Sequence, residues 1–258
     1  MPTKVGKVAK GLIKAVPMRS ILADETYKFI RSMIFTHEIA PGEKVKIDVL
    51  ALKLNVSHTP VREALARLES DGLIEKVALK GYNATKLLTV KEFVDLFRLR
   101  LLIEPWAAGK AAENIDDAEA KVLKIELDSA QAAFRLDNEQ MIQAVAEHDT
   151  RFHTLIAELS GNNFVKEAFE RTHCHLHLFR LYIASKKHLV GLENRSDFVL
   201  DLFNEYYQSS AGQLAMTQHA EIANAIINRD SDTAVKKMHE HIESSLQRFT
   251  NTVSKANE

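Results

Sequence analysis

The segment from Val56 to Ile74 constrains the fold of this chain most, because it encodes one helix together with its start and its end. Ser57 suits the N-cap, where its hydroxyl can accept one of the backbone N–H groups that a helix start leaves unpaired. Pro60 lies in the first turn, where a missing N–H costs little. Gly72 ends the helix, since glycine reaches the left-handed conformation at low cost. The apolar residues recur at helical spacing and form one stripe: Val61, Leu65 and Leu68.

A shorter helix precedes this one, and the two together predict a helix-turn-helix. The upstream helix is expected over Ile47 to Leu54, where Val49, Leu50 and Leu54 are apolar. Two short helices joined by a tight turn, the second with outward polar groups at its start, are typical of this DNA-binding motif. Any helical hairpin of an all-α domain has the same spacing, so the spacing alone leaves both interpretations open.

The flanking residues predict the rest of a winged helix. A first helix is expected from Ile21 to Thr36. Two short strands are expected over Leu73–Leu79 and Tyr82–Leu87, around a turn that contains Lys80 and Gly81. A basic residue at the tip of such a wing can reach the DNA backbone.

Three groups of residues in this region form a long and specific pattern. They are Pro41-Gly42-Glu43, then Leu50-Ala51, then Val56-Ser57-x-Thr59-Pro60-Val61-Arg62-Glu63-Ala64-Leu65-x-Arg67-Leu68-Glu69-x-x-Gly72-Leu73. The pattern resembles the DNA-binding domain of GntR-family bacterial transcription regulators. The start of the second helix is then expected to contact an operator through His58, Thr59 and Arg62, with Lys80 and Gly81 of the wing at the DNA. The family usually has arginine in place of His58; arginine donates two hydrogen bonds to a guanine edge, whereas histidine donates one or two according to its charge.

Charge is unevenly divided along the chain. Residues 1–90 contain 15 Lys and Arg against 9 Asp and Glu, whereas residues 91–258 contain 19 against 26, so the balances are +6 and −7. A basic front part suits DNA, because neutralising phosphates releases counterions.

A single cysteine, Cys174, excludes an internal disulfide. No run approaches the roughly 20 apolar residues of a membrane helix, and residues 1–17 lack a signal-peptide core; we therefore expect a cytoplasmic protein and no membrane partner.

A capping box at Thr89-Val90-Lys91-Glu92 predicts the start of a second domain. The expected division is a basic, flexible tail over residues 1–20, a winged helix-turn-helix domain over 21–88, and a helical domain over 89–258. Apolar residues of the last region recur at spacings of three and four in six segments: Phe93–Ala112, Ala118–Leu136, Met141–Leu159, Phe164–Ala184, Leu214–Ile227 and Ala234–Phe249.

The fold class predicted from these segments is mainly α. Residues 186–197 are interpreted as a loop, and residues 198–208 as an ambiguous short helix. The winged helix-turn-helix is therefore followed by an antiparallel bundle of six or seven helices.

Histidines of the helical region have the spacing of a metal site inside a bundle. Asp149 and His153 lie four residues apart, hence on one helix face. His219 heads an apolar stripe, and the last helix carries both His239 and His241. A carboxylate with imidazoles from three helices can hold a divalent ion, although each histidine alone is more often a surface or core residue. On a helical wheel His239 lies nearer the apolar stripe than His241, so periodicity would choose His239.

A second pattern covers this region. It consists of Phe93-x-x-x-Phe97-x-x-Arg100-x-x-x-Glu104-x-x-Ala107-Ala108, of Asp149-x-x-x-His153-x-x-x-Ala157-x-x-Ser160-Gly161-Asn162, and of His219-x-x-Ile222-x-x-Ala225 followed by Asp230, Ala234, Met238 and His241. It resembles the FadR C-terminal (FCD) domain. The resemblance implies one divalent ion held by four residues: Asp149, His153, His219 and His241. Imidazole and carboxylate ligands suit zinc first, with nickel, iron or manganese as alternatives.

The same resemblance implies that Arg100 points into the pocket beside the metal. A buried guanidinium needs an anion, and a small carboxylic-acid effector supplies two matched acceptors. The alternative is a surface ion pair with Glu104 on the same helix face. A further cluster at His173, Cys174, His175 and His177 is expected to line the pocket or lie at the surface rather than to bind metal.

Together these patterns predict a homodimeric, ligand-responsive transcription regulator, not an enzyme, that binds a near-palindromic double-stranded DNA operator. One alternative is a metal-dependent enzyme built on the bundle, since open positions on the ion could activate water. Another is the same regulator with a metal-free pocket for an acyl-CoA or similar ligand. The segment of residues 186–213 is longer than is usual in the family, and the sequence assigns it no role.

Overall fold

The computed structural model of this chain describes residues 18–133, 138–186 and 210–255. The predicted tail over residues 1–17 lies outside these ranges, as do most of the predicted loop and the ambiguous helix of residues 198–208. The first helix begins at Met18 rather than Ile21, so three residues assigned to the tail belong to the helix.

Helices and a small sheet form the front part of the chain. Its elements are α1 (Met18–Phe35), β1 (Lys44–Val45), α2 (Ile47–Leu54), α3 (His58–Ser70), β2 (Ile74–Val77) and β3 (Gly81–Ala84). The sheet has the order β1-β3-β2, and both pairings are antiparallel. The predicted stripe of α3 is fully buried and packs with Ile30 and Ile34 of α1 in one apolar core.

The start and the stop of α3 lie where the sequence predicts them, but the cap differs. Ser57 occupies the N-cap in an extended conformation, yet its side chain makes no capping hydrogen bond, so that prediction is wrong. Gly72 has φ +67°. A Cβ atom at this position would lie 2.3 Å from Cδ2 of His173, so both the backbone and the neighbouring helical domain require glycine here.

The wing is shorter than predicted and has an additional strand beside it. β2 and β3 contain four residues each, and the turn between them uses positive φ at Leu79 (+61°) and Gly81 (+93°). Lys44 and Val45 pair with β3 as β1. Two residues are too few for an alternation of apolar and polar side chains, so no sequence pattern predicts β1.

Helices account for nearly all of the described chain after residue 89. They are α4 (Val90–Asn114), α5 (Asp117–Ala133), α6 (Asn138–Leu159), α7 (Asn163–Glu170), α8 (Cys174–Lys186), α9 (Ser210–Ile227) and α10 (Ser231–Lys255). The capping box is formed as predicted: Glu92 N donates to Thr89 Oγ1 at 3.3 Å, and Thr89 N donates to Glu92 Oε2 at 2.7 Å. A Cβ atom on Gly109 would lie 2.6 Å from Val235, so glycine permits the close approach of α4 and α10.

One predicted helix is broken in two. The segment Phe164–Ala184 was expected to be continuous, but α7 ends at Glu170 and α8 begins at Cys174. His173 between them has φ +44°, a conformation that a helix cannot contain. This backbone conformation brings the His173 ring against Gly72 of the front part, a contact that local periodicity cannot reveal.

Helix α8 joins the two parts of the molecule. Arg180 is fully buried, and its guanidinium donates to Thr85 Oγ1 and to the Thr85 carbonyl oxygen. Thr85 Oγ1 in turn donates to the carbonyl oxygen of Gly72 at 2.9 Å, just after the end of α3. Phe179 packs edge-on against Phe35 of α1, with ring centroids 5.4 Å apart.

Candidate metal centre and nucleic-acid interface

Three helices bring three buried histidines together. His153 comes from α6, His219 from α9 and His241 from α10, and one ring nitrogen of each lies within 4.8 Å of those of the others. The Nε2 atoms of His219 and His241 are 3.3 Å apart. Burial lowers the pKa of each ring, and for His219 and His241 the pKa falls well below its usual range, so the rings are neutral near pH 7.

Asp149 lies one helical turn before His153 and borders the same cluster. Its Oδ1 atom is buried, has no hydrogen-bond partner and lies 3.9 Å from Nδ1 of His219. Burial raises the pKa of this carboxyl group to about 7. The structure therefore places all four predicted ligands in one buried region, although Asp149 groups with His148 and His219 rather than directly with the other two histidines.

The donor set fits a divalent cation. Nδ1 of His241 lies 3.0 Å from Oε1 of Gln218; because an amide oxygen only accepts, the ring carries its proton on Nδ1 and presents an unprotonated Nε2. The buried Oδ1 of Asp149 has no hydrogen-bond partner and so offers a carboxylate oxygen to a cation. Imidazole nitrogen and carboxylate oxygen are ligands that zinc, nickel, iron and manganese accept.

His239 lies apart from the cluster. Its side chain is 51% exposed and its Nδ1 lies 3.6 Å from a carboxylate oxygen of Glu243. The helical wheel placed His239 near the core because it considers one apolar stripe. Helix α10 packs against both α4 and α9, so its buried arc is wider than that stripe and includes His241.

Arg100 is buried beside the histidines and is already paired. Its guanidinium binds the Glu104 carboxylate through Nε and Nη2, and Nη1 donates to Cys174 Sγ at 3.5 Å. The sequence left two alternatives, Arg100 in the pocket or Arg100 paired with Glu104 at the surface, and each is partly correct. The Arg100–Glu104 pair exists, but it lies in the pocket instead of at the surface. Oε2 of Glu104 also lies 2.5 Å from Nδ1 of His153.

Glu104 is a site residue that sequence reasoning used only as the partner in a surface pair. Burial alone would raise its pKa, but Arg100 and His153 outweigh that effect and hold the pKa at about 2. The carboxylate therefore fixes the guanidinium of Arg100 and accepts a hydrogen bond from Nδ1 of His153. A bond at Nδ1 leaves the opposite nitrogen of His153 available to an ion.

The cluster of residues 173–177 divides between the pocket and the domain contact. His175 is buried and its ring stacks on His153 with centroids 5.2 Å apart, while Cys174 contacts Arg100. His173 faces Gly72 instead, and burial lowers the pKa of His177 to about 4. No member of this cluster belongs to a metal-ligand group among the described residues, and all lie where pocket lining or domain contact is their evident role.

The predicted DNA-contacting residues of the front part are all exposed. His58, Thr59 and Arg62 are exposed in the first turns of α3, and Lys80 and Gly81 are exposed at the wing turn. An exposed start of a recognition helix and an exposed basic hairpin tip are the two elements that a winged helix presents to DNA.

The comparisons with known proteins identify the chain. Residues 22–82 match the bacterial regulatory proteins of the gntR family, and residues 95–244 match the FCD domain. The chain belongs to the GntR family and carries an FCD domain. Its relatives are regulators of transcription, and it is itself a GntR-family transcription regulator.

Relatives of this GntR-family protein agree along most of its length. It is 28% identical over 155 residues to the uncharacterized HTH-type transcriptional regulator YdhC of Bacillus subtilis, across 60% of this chain and 68% of that protein. It is 25% identical over 225 residues to the HTH-type transcriptional repressor GlaR of Escherichia coli, across 86% and 93%. The structure of Escherichia coli McbR/YncC has a TM-score of 0.58 at 18% identity over 90% of this chain and 98% of that one, a likeness in fold. Among the described residues, no helix has the length and apolar character to cross a membrane.

Proposed function

We propose that this GntR-family regulator is a homodimeric repressor whose operator binding is controlled by a small carboxylic acid bound at a divalent metal ion. The observation that carries the proposal is α8, because it contacts both the histidine cluster and the DNA-binding part. At its start His175 stacks on His153, and near its centre Arg180 binds Thr85 beside the end of α3. Repression is the role stated in the name of the relative GlaR.

Asp149, His153, His219 and His241 are the proposed metal ligands. The unpartnered oxygen of Asp149 and the unprotonated nitrogen of His241 support this assignment. Zinc is the first candidate, and nickel, iron or manganese are the alternatives. The affinity of such a site rises along the first-row divalent metals, but the availability of each metal also decides which one is bound. The bound ion supplies positive charge and coordination positions for an acid.

Arg100 is the proposed second anchor of the effector. Its guanidinium is held by Glu104 and lies 3.4 Å from the ring nitrogens of His153 through Nη2, so it faces the same cluster as the metal ligands. A carboxylate that meets both a cation and a guanidinium gains two charge-assisted contacts. A neutral analogue of the same shape gains neither, which selects acids.

The proposed coupling path is short. The pocket end of α8 contains Cys174 and His175, and both contact residues of the site. A ligand that displaces these residues would move α8, and Arg180 would transmit the movement to Thr85 and the wing. Such coupling requires the acid to bind one domain arrangement more tightly than the other, and about 1–3 kcal/mol of it changes operator affinity about 5–150-fold.

We assign residues 21–88 to DNA binding and residues 89–258 to effector binding and dimerisation. One recognition helix reads only a half-site, so a near-palindromic operator requires two copies related by a two-fold axis. Leu99, Leu102 and Trp106 occupy one exposed face of α4 at spacings of three and four residues. A second copy of the chain is the proposed occupant of this face, since α4 directly follows the DNA-binding part and would set the separation of the two recognition helices.

A thermal-shift screen of small carboxylic acids, with and without chelator, tests the proposal. We expect chelation to lower the melting temperature, metal to restore it, and the effector acid to raise it only in the metal-loaded protein, since a ligand bound only to the folded state stabilises it. Stabilisation of chelated protein by an acyl-CoA would favour a metal-free pocket. Turnover of an acid would favour an enzyme.

Single variants assign the roles of the individual residues. His153→Ala and His219→Ala should lose metal and effector response but retain operator binding. Arg100→Ala should retain metal and lose much of its effector affinity. His239→Ala is the matched control and should be nearly silent, because its side chain is exposed. Metal that survives His241→Ala and vanishes in His239→Ala would mean that the fourth ligand is wrongly assigned.

A further inference from the structure

We propose that His148 and Glu126 are positioning residues of the metal centre, which hold the proton of His219 on Nδ1 and so keep its Nε2 available to the ion. The inference rests on the metal site proposed above. It assigns a role to two residues that are neither ligands nor effector contacts.

The three side chains form one hydrogen-bonded chain across three helices. Nδ1 of His148, on α6, lies 2.8 Å from Oε1 of Glu126 on α5. Nε2 of His148 lies 3.1 Å from Nδ1 of His219 on α9. The rings of His148 and His219 are both fully buried, so water does not compete for these bonds.

The direction of each bond follows from Glu126. A carboxylate only accepts, so Nδ1 of His148 must carry the proton and donate it. In the neutral ring Nε2 of His148 is then an acceptor, and the proton between the two rings must belong to Nδ1 of His219. His219 is left with an unprotonated Nε2, which lies 3.3 Å from Nε2 of His241.

Without the hydrogen bonds from Glu126 through His148, the facing Nε2 atoms of His219 and His241 could form a hydrogen bond with each other. His219 could carry its proton on Nε2 and donate it to His241, because Nε2 of His241 is unprotonated when Nδ1 donates to Gln218. That tautomer would satisfy both rings without a cation and would block coordination by His219. The hydrogen bonds among Glu126, His148 and His219 exclude this tautomer. They leave two facing unprotonated nitrogens, which need a cation between them.

Glu126 is itself held in place. Nε of Arg151 donates to both of its carboxylate oxygens, at 3.1 and 3.0 Å, and Nη2 of Arg151 donates to Ser129 at 3.4 Å. The guanidinium is half exposed, whereas the Glu126 side chain is 14% exposed. The series of hydrogen bonds therefore begins at the anchored, nearly buried carboxylate of Glu126 and ends at the proposed metal ligand His219.

The same geometry argues that His148 is not itself a ligand. Its side chain belongs to a close group with Asp149 and His219. Both of its ring nitrogens are nevertheless engaged, one by Glu126 and one by His219. A metal bond to either nitrogen would break one link of the chain.

The experiment measures metal affinity and coordination in full-length His148→Ala, His148→Gln, Glu126→Ala and Glu126→Gln proteins. Zinc dissociation constants come from competition with a chromophoric chelator, and the ligand set is read from the absorption bands of the Co²⁺-substituted protein. His239→Ala and Asp128→Asn are matched controls, since both side chains are exposed on helices of the same domain. Far-ultraviolet circular dichroism of each chelated protein checks the fold.

We expect His148→Ala and Glu126→Ala to bind zinc about 10–100-fold more weakly, the usual effect of losing an outer-sphere partner. The Co²⁺ bands should keep the wild-type ligand set. His148→Gln should recover part of the loss, because its amide oxygen can accept from Nδ1 of His219, and Glu126→Gln should be milder than Glu126→Ala because its amide oxygen still accepts from His148. The controls should remain within twofold of wild type.

Wild-type affinity in both Glu126 variants and in His148→Ala would overturn the inference, as would Co²⁺ bands that indicate one lost nitrogen ligand in His148→Ala. If His148→Ala does not fold, the Glu126 pair decides, since Glu126 lies at the edge of the core. Failure of the underlying proposal is distinguishable: wild-type protein would take up no metal, or His219→Ala would retain it, and either result overturns both.

Discussion

At the residue scale, the first turn of the recognition helix contains a contact between an imidazole and a carboxylate that bears on operator choice. Nε2 of His58 lies 3.3 Å from Oδ1 of Asp48 at the start of α2, and both side chains are exposed. The Asp48 carboxylate at this position repels phosphates but can accept a hydrogen bond from the amino group of a cytosine. Where the GntR family usually has arginine, this protein thus presents a histidine with an acidic neighbour.

Arg62 is expected to read the operator directly. It lies in the second turn of α3, is exposed and can donate two hydrogen bonds to a guanine. Arg62→Ala should lower specific operator affinity about 5–150-fold, the equivalent of about 1–3 kcal/mol, while the protein stays folded. Binding titrations on operator and random DNA measure the difference.

Lys80→Ala and Arg98→Ala are measured beside Arg62→Ala on the same operator and random DNA. Lys80 at the wing should contribute to both kinds of DNA alike, so its loss should weaken both and reduce the salt dependence by about one ion. Arg98 is exposed on α4 of the helical domain and should be silent. Operator affinity within twofold of wild type in Arg62→Ala would mean that α3 is not the recognition helix.

At the element scale, α8 combines two functions because its start and its centre face different parts of the molecule. Its first residues contact Arg100 and His153, and Arg180 near its centre binds Thr85. The guanidinium of Arg180 is buried, no carboxylate pairs with it among the described residues, and burial lowers its pKa to about 10. Its two terminal nitrogens donate to Thr85, whereas its buried Nε has no hydrogen-bond partner among the described residues, so this cation depends on the close contact between the two parts of the molecule.

Arg180→Met is expected to uncouple the domains. Methionine keeps apolar volume but cannot donate to Thr85, so the effector should change operator affinity less, with a loss of roughly 0.5–1.5 kcal/mol from a typical coupling of about 1–3 kcal/mol. Metal content should remain that of wild type. Operator titrations with and without effector measure the coupling, and Arg171→Met, exposed at the end of α7, is the control. Full effector response in Arg180→Met would exclude α8 as the path.

At the scale of the whole molecule, charge and apolar surface separate the functions. The basic front part carries the exposed end of α3 and the wing, whereas the acidic rear part carries the buried histidines. An acidic domain is repelled by DNA, so we expect the operator to be bound by the basic front part. The exposed apolar face of α4 is then the natural place for contact between two copies.

Leu102→Glu is expected to convert a dimer into a monomer. Leu102 is 77% exposed at the centre of the α4 face, so a charge there should prevent self-association without disturbing the fold. Operator affinity should fall with it, because two half-sites are no longer bound together. Sedimentation velocity measures the mass, and Phe164→Glu on α7, 84% exposed, is the control. A dimer that persists in Leu102→Glu and dissociates in Phe164→Glu would move the interface to α7.

The sequence by itself determined the two short helices of the front part, the helical domain and its capping box, and the resemblance to the GntR family identified the two helices as a helix-turn-helix. These depend on local spacing: Val61, Leu65 and Leu68 report one buried face, and Thr89 with Glu92 reports a helix start, without reference to the rest of the chain. Resemblance to the FCD domain added the candidate ligands, because the family pattern carries information that one chain's periodicity lacks.

Tertiary structure alone decided features that join residues distant in the chain. It buried His241 and exposed His239 because two helices pack on α10, and it broke α7 from α8 where His173 meets Gly72. It also placed Glu126, His148 and His219 in one hydrogen-bonded chain. No local pattern predicts these contacts, since each depends on how separate helices are oriented when their apolar faces pack together.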